Sequence, residues 1–216
     1  MSNLRRGTYG NYYGSYIGES EPLTSAEMGV NAQYIYSYLT NKGWTINAIC
    51  GMLGNIQAES SMNPGRWQSE DVGNSSMGYG LVQWTPATKY IEWANAQSFT
   101  DYSEMDSNLA RIIYEVENNL QWIATGSYNY SFKEFSTSNL TVSELAVAFL
   151  LNYERPADQS ASVQAYRSSL AEAWYSTLTG STPSTPDTPD TPSITRKRKK
   201  YNFILFNRRR REQWIR

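Results

Sequence analysis

The sequence contains no histidine and a single cysteine, Cys50. The first absence excludes imidazole zinc sites, Cys-His dyads and Ser-His-Asp triads, and neither a metal nor a cofactor is expected. The second permits no internal disulfide. Cys50 lies on an apolar stripe, where a small core residue is expected rather than a reactive thiol. No apolar run reaches the roughly 18 residues needed to span a bilayer, and the N-terminus lacks the basic, apolar, small-residue order of a Sec-type signal peptide. If the chain acts outside a cell, something other than a signal peptide is expected to deliver it. Positive charge is scarce over most of the chain: residues 1–195 hold nine basic and nineteen acidic side chains, whereas residues 196–216 hold ten Arg or Lys and one Glu. Nonspecific nucleic-acid binding depends on neutralising phosphates, so the acidic body is poorly suited to it and no specific nucleic-acid recognition is expected.

What is present is enough for one domain with appendages: 216 residues, of which 40% are apolar. Residues 1–22, rich in Gly, Tyr and Ser without clear periodicity, are expected to form an irregular arm. A folded domain is expected over residues 23–180. It opens with the capping-box pattern Thr24-Ser25-Ala26-Glu27 and a helix that places Met28, Ala32, Ile35 and Leu39 on one face. Further helices are predicted from Thr45, from Pro86 (PATKYIEWANAQ), over residues 103–123, near Phe132 to Phe135, and from Thr141 to the stop at Pro156. A last one carries Val163, Tyr166, Leu170 and Trp174 inward. The STPSTPDTPDTPS stretch makes residues 181–195 a semi-rigid spacer, since a Thr-Pro-Asp repeat cannot bury a core. Residues 196–216 set the apolar run Tyr201 to Phe206 between two basic blocks, a pattern that suits anionic wall polymer or a membrane surface, insertion into a larger assembly, or a disordered end.

The chemistry gathers in residues 46–83. Ile46, Ile49, Cys50, Leu53 and Ile56 recur at the helical period of about 3.6 residues, and Glu59 sits at the edge of that stripe in the last turn. Asn63-Pro64-Gly65 stops the helix, and the polar segment Trp67 to Ser76, with Gly78 and Gly80, predicts a hairpin folding back toward it. A carboxyl group where core meets solvent can have a raised pKa and act as a proton donor, as glycoside cleavage requires. Glu70 and Asp71, on the predicted hairpin, are candidates for the second carboxylate that holds an attacking water. Gln83 and Tyr153 suit a groove because an amide and a phenol bond N-acetyl and hydroxyl groups, and Tyr79, Trp84 and Trp67 offer aromatic surface for stacking. Glu115 and Glu117 are expected on a solvated face, and Glu154 is expected to pair with Arg155 or to cap a helix end.

Ile49 to Gly65 together with Gly78 to Pro86 resembles the phage tail lysozyme family, which includes the lysozyme domains of tail-knob proteins of small podoviruses infecting Gram-positive bacteria. The resemblance extends from Asn31 through RIIYEVENN to NYERPA and fades after Tyr175. Glu-x-x-x-Asn-Pro-Gly followed by Gly-x-Gly-Leu-Val-Gln-Trp-Thr-Pro is hard to obtain by chance. Glu59-Ser60, Gly80-Leu81-Val82-Gln83 and Asn152-Tyr153-Glu154 are similar in order to motifs of goose-type lysozymes and lytic transglycosylases. The resemblance implies a mostly α (α+β) fold, a lysozyme-like helical domain with a small β-hairpin lobe, here followed by a Thr/Pro linker and a basic tail. It also implies a catalytic acid at Glu59, bacterial peptidoglycan as substrate, cleavage between N-acetylmuramic acid and N-acetylglucosamine, and a place in the virion tail beside other tail proteins. The tail-knob proteins add a zinc-dependent peptidase domain, which a histidine-free chain is not expected to contain. Three alternatives stay open at this point: a lytic transglycosylase, a lysis endolysin, and a non-catalytic tail-tip module that binds glycan.

Overall fold

The computed structural model describes residues 3–181, so all but the first residue of the spacer expected over residues 181–195, and the whole basic tail expected over residues 196–216, lie outside the described residues. Helix α2 (Ile46–Ser60) is the axis of the fold. Thr45 caps it, its hydroxyl accepting from Ala48 N at 3.2 Å while donating to Ser138 O at 2.6 Å. The expected stripe is buried from Ile49 onward, but so are Gly51, Met52, Gly54 and Asn55, so the helix is enclosed on nearly all sides. Helices α6 (Val142–Phe149) and α7 (Ala161–Thr179) pack against it, with α1 (Ser25–Thr40) on another side. Two glycines allow this. A Cβ on Gly51 would stand 2.8 Å from the Leu145 carbonyl carbon, and one on Gly54 would stand 2.6 Å from the Arg167 carbonyl oxygen. The close approach of α7 at Gly54 is what brings Arg167 over the C-terminal half of α2.

Helix α1 is built as its sequence predicts. Thr24 accepts from Glu27 N and the Glu27 carboxylate accepts from Thr24 N at 2.8 Å, a complete capping box on an exposed end. Thr24→Ala is expected to cost about 1 kcal/mol, read as a shift in denaturation midpoint with unchanged m-value.

Residues 1–22 depart from the expected irregular arm. Strands β1 (Asn3–Gly7) and β2 (Gly10–Gly14) form an antiparallel hairpin, with Arg5 opposite Tyr12. Its inward positions are Arg5 and Tyr12 and its outward ones include Leu4, so the alternation expected of a half-buried strand is inverted in polarity. The buried Arg5 guanidinium reaches Asp101 at 2.5 Å and Ser103 Oγ at 2.7 Å, while Thr8 N bonds the Asp106 carboxylate at 2.9 Å. Both anchors belong to the start of α4 (Met105–Asn118) and the loop before it.

The helix stop at Asn63-Pro64-Gly65 has a structural task. Asn63 Oδ1 accepts from Ser15 N at 3.0 Å and Gly65 N at 2.9 Å, and its Nδ2 donates to Ser15 Oγ at 2.8 Å. A Cβ on Gly65 would lie 2.3 Å from Ser15 O. The motif therefore clamps the strand exit onto the end of α2 and fixes where Glu59 ends.

The expected Trp67 to Trp84 hairpin is instead a compact set of turns. Single antiparallel bridges join Trp67 to Tyr79 and Tyr79 to Trp84, and Gln68–Glu70 makes one 3-10 turn. Gly80 at φ 83° lets the chain reverse against Asn108, whose Oδ1 accepts from Leu81 N at 3.0 Å. Helix α3 (Thr88–Ala96) begins two residues after Pro86, α4 ends at the left-handed Asn119 rather than near Ile123, and the short α5 (Phe132–Ser136) packs its phenylalanines on Trp122. In α7 the inward face is Arg167, Ala171 and Trp174; Tyr166, expected inward, is exposed. The result is a mostly α domain carrying one small two-stranded sheet.

Candidate active site

The last turn of α2 opens on a cavity of about 270 Å³. Glu59 lines it, together with Arg66, Trp67 and Gln83 from the turns that follow and Glu154 from the far side. Glu154 ends a π-helical turn, Leu150–Glu154, that continues α6. A π turn holds one more residue than an α turn, so it rotates the last residues out of the register that α6 would have given them. That extra residue carries the glutamate side chain to the cavity shared with α2.

Three ionisable groups, Glu59, Glu154 and Arg167, meet beside it. Arg167 Nη2 donates to Glu59 Oε1 at 2.6 Å, and its Nη1 donates to Asn55 O at 3.0 Å. The side chains are 11% and 23% exposed respectively for Arg167 and Glu59, so Glu59 is the member that keeps contact with the open side of the cavity. Glu154 Oε1 is sealed from solvent and has no hydrogen-bond partner among the described residues. Burial pushes the Glu154 carboxyl well above the ordinary glutamate value, the Glu59 charge pushes it further, and Arg167 opposes only in part. One guanidinium faces two carboxyls: Glu59 takes its hydrogen bond, and Glu154 retains a proton at pH values where exposed glutamates have lost theirs.

The expected pairing of Glu154 with Arg155 does not form. Arg155 Nη1 donates to the backbone carbonyls of Gln121 and Asn152 instead. The position of Glu154 was not legible because α-helical periodicity, carried on from α6, does not anticipate a π turn.

Of the other expected site residues, Trp67 and Gln83 line the cavity. Gln83 sits at φ 50°, with Nε2 donating to Gly80 O at 2.8 Å and Arg66 O at 3.1 Å. Its Oε1 and Trp67 Nε1 are buried and unpartnered among the described residues, leaving one acceptor and one donor unused in the wall. Tyr79 is fully buried, its ring against Trp67 at 4.5 Å and Tyr102 at 5.4 Å. Trp84 stacks on Tyr90 at 4.5 Å. Neither Tyr79 nor Trp84 is among the residues lining the Glu59 cavity.

Glu70 and Asp71 also stand outside that lining. Glu70 is an exposed partner of Arg66 at 3.1 Å, and Asp71 accepts from Asn74 Nδ2 at 2.7 Å. The 3-10 turn that replaces the expected hairpin points this edge into solvent.

Glu115, expected on a solvated face, is 1% exposed, whereas Glu117 is exposed as expected. Glu115 lies three residues after Ile112 and seven after Asn108, on the core side of α4. It accepts from Trp84 Nε1 at 3.0 Å, Tyr153 Oη at 2.5 Å and Arg111 Nε at 2.9 Å. Burial raises its pKa while those three donors pull it back. This network fixes Trp84 and Tyr153, the residues beside Gln83 and Glu154, and so sets the two sides of the cavity relative to one another.

Comparison with known proteins identifies the family of the chain. Morphogenesis protein 1 of Bacillus phage B103 is 55% identical over 158 residues, which make up 73% of this chain and 42% of that protein. The chain thus spans less than half the length of that relative. The phage tail lysozyme family matches residues 30–178, a stretch that takes in Glu59, Gln83, Glu154 and Arg167, and the chain belongs to that family.

Proposed function

We propose that the chain is a muramidase of a phage tail, hydrolysing the β-1,4 bond between N-acetylmuramic acid and N-acetylglucosamine so that the bacterial wall opens locally and DNA can pass. The family and the phage relative support a tail lysozyme-like, virion-associated role. The observation that carries the chemistry is the pair Glu59 and Glu154 lining one cavity, with the Arg167 guanidinium serving both while Arg66 of the same lining is paired with Glu70. The Glu154 carboxyl keeps its proton above the ordinary glutamate range, and a retained proton is what general acid catalysis at a glycosidic oxygen needs.

In this reading the proton resting on Glu154 passes to Glu59, on the open side, and from there to the bridging oxygen as the bond to the sugar carbon breaks, which leaves Glu154 as a carboxylate. The neighbouring carboxyl balances the positive charge building on the ring. Water then adds its oxygen to that carbon and returns a proton to the carboxyl pair. Gln83 Oε1 accepts from an N-acetyl N–H, and Trp67 Nε1 donates to a sugar oxygen. The Arg167 contact at 2.6 Å favours one variant of the scheme, in which Glu154 supplies the proton and Glu59 remains the charge-balancing carboxylate.

Digestion of purified glycan strands is expected to yield products with reducing-end muramic acid, read by mass analysis. A 1,6-anhydro product would convert the proposal into a lytic transglycosylase. Binding without any cleavage would leave a glycan-recognising tail module.

A further inference from the structure

A second cavity, about 240 Å³, continues from the first across Gln83, Thr85 and Glu154, which line both. Its far wall carries Lys89 and Arg155. These two cations stand out against the charge pattern of the body. Of the nine basic residues in positions 1–195, Arg5, Arg66, Arg111 and Arg167 are ion-paired, and two of the remaining five line this one cavity. Neither Lys89 nor Arg155 forms an ion pair among the described residues. Arg155 is held by backbone carbonyls, which orient its guanidinium without neutralising it. The only acid in the lining is Glu154, whose carboxyl, raised by burial and by the Glu59 charge, is opposed more by Arg167 than by Arg155.

We infer that this cavity is a sugar subsite that takes the carboxylate carried on the O3 lactyl arm of N-acetylmuramic acid. It thereby sets which sugar lies on which side of the carboxyl pair. The inference rests on the muramidase reading and adds to it a direction. Two cations without an ion pair among the described residues, in an acidic body, attract an anion at close range and repel none of the neutral N-acetylglucosamine. Gln83, which lines both cavities, has an unpartnered Oε1 just beneath the surface, within reach of an N-acetyl group of the same ring once the side chain turns outward. The carboxylate has two sources, the lactyl group itself in peptide-free glycan or an acidic residue of the stem peptide built on it. Both lie along the same arm.

The test uses the full chain bearing Glu59→Gln, so that ligands persist, with and without Lys89→Glu or Lys89→Gln. Lys89 is exposed, so its replacement leaves the core intact. Three ligands of equal length are titrated calorimetrically: chitooligosaccharide, peptide-free glycan with a free lactyl carboxylate, and glycan with stem peptides. Lys89→Glu is expected to weaken binding of an anionic glycan about tenfold, equivalent to about 1.4 kcal/mol, and Lys89→Gln less, with chitooligosaccharide unchanged. Raising salt is expected to shrink the wild-type preference for the anionic ligand. A loss with peptide-free glycan assigns the lactyl carboxylate; a loss confined to peptide-bearing glycan assigns the stem. Equal effects on all three ligands, or none on any, would overturn the subsite while leaving the hydrolase reading standing. Failure of the parent protein to bind any of the three would overturn both.

Discussion

Glu59→Gln is expected to lower glycan cleavage by about 10²–10⁴-fold, the usual contribution of a positioned general acid, while wall binding survives. Glutamine keeps the shape and can still accept from Arg167, but it has no proton of suitable acidity to give. The loss of charge leaves Arg167, whose Nε is already buried without a partner, balanced only through Glu154, so a modest fall in stability is expected alongside. Turbidity loss of purified walls measures cleavage, and co-sedimentation with the same walls measures binding. A further comparison separates the two carboxyls. An aryl glycoside whose phenolate departs unprotonated needs no acid for bond breaking. If Glu59 is the donor, Glu59→Gln retains most of its activity on that substrate and Glu154→Gln does not; the reverse pattern exchanges their roles. Undiminished wall clearing by Glu59→Gln would remove this residue from the chemistry.

The position of Glu59 at a cavity was legible because three local signals agree on it: an apolar helical stripe, a stop at Asn63-Pro64-Gly65, and a Gly-bracketed segment after it. Each is a short-range property of the chain, and the helix formed from Ile46 to Ser60 as the period required. The helix at Thr24 was legible for the same reason, since its capping box satisfies orphan N–H groups with side chains three residues apart, and the helix at Thr141 forms the same box. What failed was long-range. Arg5 reads as a solvated charge until Asp101 and Ser103 are folded against it, so a hairpin with a buried arginine looked like a loose arm. Glu115 reads as surface until Trp84, Tyr153 and Arg111 converge on it from three segments.

The second carboxyl shows the limit most clearly. Glu70 and Asp71 were attractive because they follow Glu59 closely in a polar stretch, yet the turn at Gln68–Glu70 carries them outward. Glu154 lies far along the chain beside an arginine, the ordinary sequence context of a surface ion pair. Only the π turn after α6 and the approach of α7 at Gly54 bring it, with Arg167, to the end of α2. Cavity, acid and counter-ion are thus supplied by three helices that no single window of sequence contains.

Glu154→Gln is expected to make the protein more stable than wild type above the ordinary glutamate range, with a gain that grows as pH rises. The folded-state pKa of Glu154 lies well above the unfolded value of 4.5 because the carboxyl is buried and faces Glu59. Below the unfolded value both states are protonated, and the acid and the amide should differ little. Between the two values the unfolded chain has released its proton and the folded chain has kept it. Fewer protons are then bound in the unfolded state, and stability falls by up to about 1.4 kcal/mol per pH unit until the folded pKa is passed. Glutamine carries no such term, so its denaturation midpoint should decline less than that of wild type across this window, the raised Glu104 and Glu115 contributing equally to both curves. Chemical denaturation at half-unit pH steps measures both curves. Adding Glu59→Gln removes one of the charges that raises Glu154, so the decline in that single variant should end at a lower pH than in wild type. Parallel wild-type and Glu154→Gln curves would mean that the carboxyl is solvated and ionised like any other. The proton attributed to this pair would then have to be found elsewhere.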